Sequence, residues 1–237
     1  MSGLFPLSVT GAATRRRGKR LVGPVDFDWD GQGTQVVLGP NGSGKTTLLR
    51  LLHGIARLHE GEISWACGTA AARNAQAFVF QRPVMLRRTV GENLAYPLTL
   101  RGVARAEARG LAEGWADRVG LAEMIDRPAS VLSGGEQQKL AIARALIVEP
   151  ELVFLDEPSA SLDGRATREI EAILSDAVEG GTRVVLATHD MGQARRLASR
   201  VVFMLHGRVH ETGPAHRFFD APETAEARAF LKGDIVE

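Results

Sequence analysis

Short apolar runs alternate with longer amphipathic stretches along most of the chain. The runs consist mainly of Val, Leu, Phe and Ala, as in strands buried on both faces, and lie at 34–38, 77–80, 152–155, 183–187 and 200–205. Between them, apolar residues recur at helical spacing in the stretches 46–58, 133–148, 164–178 and 190–198. This alternation predicts an α/β fold with a mainly parallel sheet and right-handed crossovers.

Two regions depart from the alternation. Residues 4–9 and 21–29 read as short strands joined by a basic loop, and we expect an N-terminal antiparallel β subdomain. Residues 61–65 read as a further strand after a turn. Residues 85–132 are rich in Ala, Arg, Glu and Leu and show helical periodicity. We therefore expect an α-helical subdomain at about 85–132, inserted into a core of about 1–84 and 133–237, with a hairpin near His206 and Gly207.

Composition narrows the class of protein. Of 237 residues, 44% are apolar and 24% charged, and the net charge of +1 gives no reason to expect a nucleic acid partner. The single cysteine, Cys67, excludes an internal disulfide and a cysteine-based zinc site, and it fits a reducing cytosol. No run approaches the ~20 apolar residues of a membrane span, and the first residues do not resemble a signal peptide.

A phosphate-binding pattern follows the strand at 34–38. Gly39–Thr46 reads GPNGSGKT, which matches G-x-x-x-x-G-K-[ST] between a predicted strand and a predicted helix. In such a loop backbone N–H groups surround a phosphate, Lys45 reaches the outer phosphate oxygens, and the Thr46 hydroxyl can bind Mg²⁺.

Two acids follow another apolar strand. Asp156 and Glu157 come directly after the run at 152–155, at the sheet edge where parallel-sheet sites lie. Asp156 is therefore expected to hold Mg²⁺ opposite Thr46. Glu157 is expected to polarise a water for attack on a γ-phosphate.

A second anion-binding pattern lies at Leu132–Gln137, which reads LSGGEQ. A serine and two glycines at a predicted helix N-terminus leave backbone N–H groups available to an anion. The chain thus carries two separate elements suited to phosphate.

The order of these elements resembles that of ATP-binding-cassette (ABC) ATPases. Gly39–Thr46, Gln81, Leu132–Gln137, Asp156-Glu157, Ser161-Leu162-Asp163 and His189 look like the Walker A, Q-loop, signature, Walker B, D-loop and H-loop elements of that family. The match covers about residues 4 to 215. The resemblance implies the P-loop NTPase fold of an ABC ATPase, with ATP and Mg²⁺ as cofactors.

The resemblance also assigns roles. ATP would be held by Gly39, Pro40, Asn41, Gly42, Ser43, Gly44, Lys45, Thr46 and Thr47. Ser133, Gly134 and Gly135 would contact the γ-phosphate bound by a second copy, and Asp163 would link the two sites. The catalytic residues would be Glu157, His189 and Gln81, and the Mg²⁺ ligands Thr46, Gln81 and Asp156.

One expected feature is missing from the pattern. These ATPases usually carry an aromatic residue upstream of the P-loop that stacks on adenine, but no aromatic lies between Phe5 and Phe27. The corresponding loop holds Arg15, Arg16, Arg17, Lys19 and Arg20 instead. A guanidinium could stack on adenine, although a solvated basic loop explains these residues more simply.

The family further implies the protein's partners. We expect a homodimer that docks on permease subunits at the cytoplasmic face of the inner membrane. A solute-binding protein would be an indirect partner. Glu136 in the signature resembles importer-type cassettes, and the segment 81–90 resembles those of tungstate, then phosphate, importers. Met85 and Leu86 could contact the permease, with Arg87 and Arg88 at the rim, or the segment could be an ordinary subdomain surface. The alternative functions are a soluble ABC ATPase acting on nucleic acid or ribosomes and the ATPase half of an exporter.

Overall fold

The computed structural model describes residues 3–234. Its larger sheet has six strands, β3 (Thr34–Leu38), β5 (Gln76–Val79), β6 (Leu152–Asp156), β7 (Arg183–Thr188), β8 (Arg200–Leu205) and β9 (Arg208–Pro214). They lie in the order β5-β6-β7-β3-β8-β9, and all neighbours are parallel except β8 and β9. The predicted α/β fold with a mainly parallel sheet is therefore confirmed.

Nine α-helices surround the sheets within the described residues. They are α1 (Lys45–His53), α2 (Thr69–Asn74), α3 (Val90–Leu100), α4 (Arg105–Arg118), α5 (Gly134–Leu146), α6 (Gly164–Glu179), α7 (Met191–Leu197), α8 (Ala215–Asp220) and α9 (Ala225–Lys232). Every residue of β3 and β6 is buried, as apolar runs covered on both faces require. No helix within 3–234 combines the length and apolar composition that crossing a membrane needs.

The smaller sheet is antiparallel and corrects one prediction. Its strands β1 (Leu7–Arg16), β2 (Lys19–Trp29) and β4 (Glu60–Trp65) lie in the order β2-β1-β4. The basic segment is therefore not a loop between strands at 4–9 and 21–29. Both strands continue into it and meet at a two-residue turn, where Arg17 and Gly18 have φ of 51° and 78°. Positive φ at both positions matches the twist of a tight hairpin.

The segment 85–132 contains α3, α4 and two short 3₁₀ helices, Ala122–Met124 and Ala129–Val131. Thr89 and Glu92 form a capping box that fixes the start of α3. Buried Leu94, Ala112 and Leu121 pack with Leu140 of α5 in one apolar cluster. This helical segment is therefore packed onto the helix that follows it.

One helix was predicted too long, and three short helices were not predicted. The helix predicted at 46–58 ends at His53, because Gly54 takes the left-handed conformation (φ 87°) that terminates helices. The helices α2, α8 and α9 were not predicted. With six to eight residues each, they are too short for apolar periodicity to reveal.

Candidate functional site

The site lies at the carboxyl ends of four adjacent strands. Gln81 follows β5, Glu157 follows β6, His189 follows β7, and the loop 39–44 follows β3. The order β5-β6-β7-β3 makes these strands neighbours. Residues that lie far apart in sequence are thus brought to one edge of the sheet.

The loop 39–44 opens directly into α1. Gly42 and Gly44 have φ of 82° and 104°, a left-handed backbone that favours glycine. Lys45, only 4% exposed, bends back so that its Nζ donates to the carbonyls of Gly39 (2.9 Å) and Pro40 (3.1 Å). No side chain caps the N-terminus of α1, and no acid lies in its first turn, which holds Thr46 and Thr47. Such a helix N-terminus is suited to a phosphate.

Glu157 is the centre of a polar cluster. Its carboxylate lies 3.2 Å from Lys45 Nζ, 3.2 Å from His189 Nδ1 and 3.3 Å from Gln81 Nε2. The backbone of Glu157 has a φ of 48°, a conformation that non-glycine residues adopt mainly where the surroundings enforce it. The three predicted catalytic residues and the predicted phosphate lysine therefore meet around one carboxylate.

Thr46 and Asp156 form a second pair beside this cluster. The Thr46 hydroxyl donates to Asp156 Oδ1 at 2.7 Å. Burial raises the pKa of Asp156, and the neighbouring Glu157 raises it further, while the Thr46 hydrogen bond, Arg50 and Lys45 lower it. A buried carboxylate next to a hydroxyl is the oxygen donor set that a hard divalent cation prefers. The residues present therefore fit Mg²⁺.

Few protein ligands are available for such an ion. Within 3–234, no three His, Cys, Asp or Glu side chains converge as a metal cluster. Mg²⁺ usually keeps several waters and binds one or two carboxylates together with substrate phosphates. A site made of Thr46, Asp156 and Gln81 would follow that pattern.

The signature element lies apart from this cluster. Ser133 caps α5, and its hydroxyl and backbone N–H both donate to Glu136 at 2.7 Å. The hydrogen bonds from Ser133 lower the pKa of the Glu136 carboxyl, and Lys139 and Arg127 assist. Ser133 and Gly134 are exposed, and the N–H groups of the first helical turn have no partner within the helix.

Asp163 is a neighbour of the signature. Its carboxylate caps α6 by accepting from the N–H groups of Arg165 (2.9 Å) and Ala166 (2.8 Å). Ser133, Gly135 and Asp163 line one open cavity of about 650 Å³, and none of the described residues 39–47 lines it. The residues expected to act on nucleotide thus divide into two separate groups within one chain.

Three polar residues with structural contacts were not predicted from the sequence. Asn93 in α3 and Gln193 in α7 are buried, Arg144 in α5 is half-buried, and each makes side-chain hydrogen bonds that connect different elements. An amide or guanidinium inside an amphipathic helix is not distinguishable in the sequence from a surface one, because its burial depends on what packs against it.

Comparison with known proteins identifies the family that shares this arrangement. The family model described as "ABC transporter" matches residues 22–160. The chain is 39% identical to the phosphate import ATP-binding protein PstB 2 of Natronomonas pharaonis, over 97% of this chain and 87% of that protein. It is also 38% identical to a probable anion import ATP-binding protein of Haloferax volcanii, over 84% of this chain and 77% of that protein.

Two further relatives extend the comparison. The tungstate uptake system ATP-binding protein TupC of Peptoclostridium acidaminophilum is 39% identical over 77% of this chain and 85% of its own length. Among solved structures, CbiO1 of Clostridium perfringens, part of the ABC transporter complex CbiONQ, aligns with a TM-score of 0.81 and 25% identity. That alignment covers 97% of this chain and 96% of CbiO1.

Proposed function

The chain belongs to the ABC transporter family as an importer-type, ATP-hydrolysing subunit, and we propose that two copies close head to tail around two ATP molecules. Each nucleotide would lie between the loop 39–46 of one copy and Ser133, Gly134 and Gly135 of the other. One observation carries the proposal. The signature helix N-terminus is exposed and lines a cavity to which residues 39–47 do not contribute, so a single chain offers two halves of different sites.

The polar cluster around Glu157 supports hydrolysis in each site. Glu157 would accept the proton of a water that attacks the γ-phosphorus, while the bond to the bridging oxygen breaks and leaves ADP. His189, 3.2 Å from Glu157, would orient that carboxylate and bond the γ-phosphate. Lys45 would exchange its contact with Glu157 for the phosphate oxygens, which frees the carboxylate for the water.

The pair formed by Thr46 and Asp156 is suited to bind Mg²⁺ as a cofactor. Thr46 and Asp156 would hold it, with Gln81 from the neighbouring strand end. When bound, the ion neutralises charge on the phosphate oxygens. Burial disfavours the charge of the Asp156 carboxylate, and a bound cation would offset that cost.

An apolar groove next to Gln81 suits a permease helix. The groove measures about 390 Å³ and is lined by Phe80, Val84, Leu86, Tyr96, Pro97 and Leu100, among others. Val84 and Leu100 are each 69% exposed, which is unusual for large apolar residues of a soluble surface. Leu86 lines the groove, while the partly buried Met85 packs against two apolar clusters, so we propose Val84 as the docking contact beside Leu86.

Two polar side chains, half-buried Arg144 and buried Asn93, connect this groove to the signature helix. Arg144 of α5 donates to the Val84 carbonyl (2.8 Å) and to Asn93 Oδ1 (3.1 Å). Asn93 also exchanges hydrogen bonds with both the N–H and the carbonyl of Leu86. We propose that these contacts transmit movement of the groove to α5, whose N-cap residue is Ser133, and so couple permease movement to dimer closure.

The relatives support a proposal for the cargo and the location. The names of three relatives refer to phosphate, an anion and tungstate. We propose a small oxyanion as the cargo, delivered by a solute-binding protein to the permease. The subunit would then lie on the cytoplasmic face of the membrane, held there through the permease.

Replacing Glu157 by Gln tests the central proposal. The amide cannot accept a proton, so phosphate release should fall at least about 100-fold. ATP binding should persist, and the closed dimer should accumulate because its bridging γ-phosphate is not removed. Size-exclusion chromatography with saturating ATP and Mg²⁺ measures the dimer. A Glu157→Gln variant that binds ATP and remains a monomer would contradict head-to-tail closure.

A further inference from the structure

The segment 157–163 connects the proposed base, Glu157, with Asp163 beside the signature. Two of its non-glycine residues have positive φ, Glu157 at 48° and Ser161 at 66°. Two backbone hydrogen bonds fold it, from Ala160 N to Glu157 O (3.1 Å) and from Leu162 N to Ser159 O (3.2 Å). Such a backbone persists only where surrounding contacts fix it.

One buried amide supplies such a contact. Gln193 is 1% exposed, and its Nε2 donates to the Ser159 hydroxyl at 2.8 Å. The same nitrogen lies 3.5 Å from Glu171 Oε1. Burying an amide costs free energy unless its polar groups form hydrogen bonds. We therefore attribute the glutamine at this position to its hydrogen bonds and not to packing.

The ion pair of Glu171 and Arg196 lies next to this amide. Glu171 of α6 is buried, and Arg196 of α7 donates to both of its oxygens, from Nε at 2.8 Å and from Nη2 at 2.7 Å. This two-point contact fixes the carboxylate, and the carboxylate in turn fixes the Gln193 side chain. The hydroxyl of Ser159 is therefore held by a chain of three side chains.

The backbone of Gln193 is tied to the other side of the site. Gln193 N donates to Asp190 Oδ1 (3.0 Å), and Asp190 N donates to the Thr188 hydroxyl (3.0 Å). These bonds flank His189, which lies between Thr188 and Asp190. Gln193 thus joins the helix that begins after His189 to the segment that begins at Glu157.

We infer that Gln193 is a positioning residue, which holds Glu157 and His189 in register through Ser159. The inference rests on the proposed ATP hydrolysis, because it concerns how the hydrolytic groups are aligned. Gln193 itself touches neither the loop 39–46 nor the Glu157 carboxylate in the described hydrogen bonds. It should therefore affect turnover more than nucleotide binding.

Replacing Gln193 by Met tests this, because the change keeps the volume and removes the hydrogen bond. The kcat for ATP should fall roughly tenfold, as expected for a displaced catalytic group. The KM and the equilibrium affinity for ATP should stay within about twofold of the wild-type values. Gln35→Met is the matched control. Gln35 is buried in β3 and its amide nitrogen has no partner within 3–234, so kcat should not change.

Ser159→Ala removes the other end of the contact and should lower kcat to a similar extent. Combining it with Gln193→Met should cost little more than either change alone, since both break one hydrogen bond. Ser159→Ala also serves if Gln193→Met does not fold. A wild-type kcat in Ser159→Ala, or additive losses in the double variant, would overturn the inference. An inactive wild-type protein would overturn the proposed function and the inference with it.

Discussion

The two glycine-rich elements of the chain differ in how much of their surroundings this same chain supplies. The P-loop lysine is buried, contacts Gly39, Pro40 and Glu157, and lies at an edge shared with His189. The signature is exposed, and in the described hydrogen bonds the Ser133 side chain contacts only Glu136. The P-loop is therefore surrounded by side chains of its own chain, whereas the signature is open to solvent.

This difference has a physical origin. The P-loop follows a central strand, so adjacent strand ends surround it with side chains. The signature begins a helix packed on α3 and α4, away from the strand ends. A helix N-terminus left exposed keeps its N–H groups for a ligand that another molecule brings. The comparison therefore predicts that the two elements fail in different ways when they are altered.

The largest expected effect comes from altering both elements in separate chains. Lys45→Ala should weaken ATP binding by roughly 10- to 100-fold, since a charged hydrogen-bond donor is lost. Gly134→Asp should leave ATP binding intact but abolish dimer closure, because a carboxylate meets the γ-phosphate. Each variant alone should lose at least about 100-fold in ATPase activity. ATP binding and phosphate release measure the two effects.

Mixing the Lys45→Ala and Gly134→Asp variants tests whether the two elements act on one site from different copies. In a mixed dimer one site has both alterations, and the other combines an intact P-loop with an intact signature. Activity should therefore return on mixing. Gly134 tolerates a side chain, since a Cβ there would lie 4.0 Å from Leu162, and an acid at this position favours the helix electrostatically. Inactive mixtures of folded variants would exclude a site shared between copies.

The second effect concerns the groove, which Arg144 ties to the signature side. Val84→Asp should lower permease-stimulated ATPase activity roughly tenfold, as for loss of an apolar anchor at an interface. ATP affinity of the isolated subunit should not change. Leu111→Asp is the matched control, because Leu111 is an exposed apolar residue of α4 outside the groove. Equal losses in both variants would remove the groove as the docking surface.

The smallest effect concerns the basic hairpin on the P-loop side. Arg15 and Arg20 form ion pairs with Glu60. Arg16 lies opposite Lys19 in the strand register, which offers it no negative partner. Neighbouring strand residues point to opposite faces, so Arg16 lies on the face opposite Arg15. If Arg16 stacks on adenine, Arg16→Ala should weaken ATP binding about two- to fivefold, the range of an exposed cation–π contact.

Tripolyphosphate and Arg15→Ala are the controls for that effect. Stacking requires a base, so Arg16→Ala should not change tripolyphosphate affinity, and Arg15→Ala should change neither ligand's affinity. Equal weakening of ATP and tripolyphosphate would indicate general electrostatic attraction. No change at all would mean that the hairpin is a solvated basic surface.

The regular elements of the core were predictable because their signals are local. The run 152–155 is apolar along its whole length, and 34–38 ends in Val-Val-Leu, so both read as strands without knowledge of their neighbours. The family resemblance was also predictable, since its motifs are local, and the comparisons confirm it. The extent of the hairpin was not predicted because Arg15 and Arg20 look like loop residues. In the structure their strands pair with each other, and both side chains form ion pairs with Glu60.

The contacts behind the motifs were not predictable. Asn93, Arg144 and Gln193 look like ordinary polar positions of amphipathic helices. Asn93 and Gln193 are buried, and Arg144 half-buried, where α3, α7 and α5 meet other elements. Met85 likewise reads as a surface residue of the docking segment but packs inward, because two apolar clusters meet beneath it.

The sequence by itself determined the types of element, the motif order and hence the family and its chemistry. Each of these depends on residues close together in the chain. The tertiary structure decided which residues meet: Glu157 with Lys45, His189 and Gln81, and Ser133 with Asp163 in a separate cavity. Strand order and helix packing set those meetings, and they depend on residues that lie far apart in sequence.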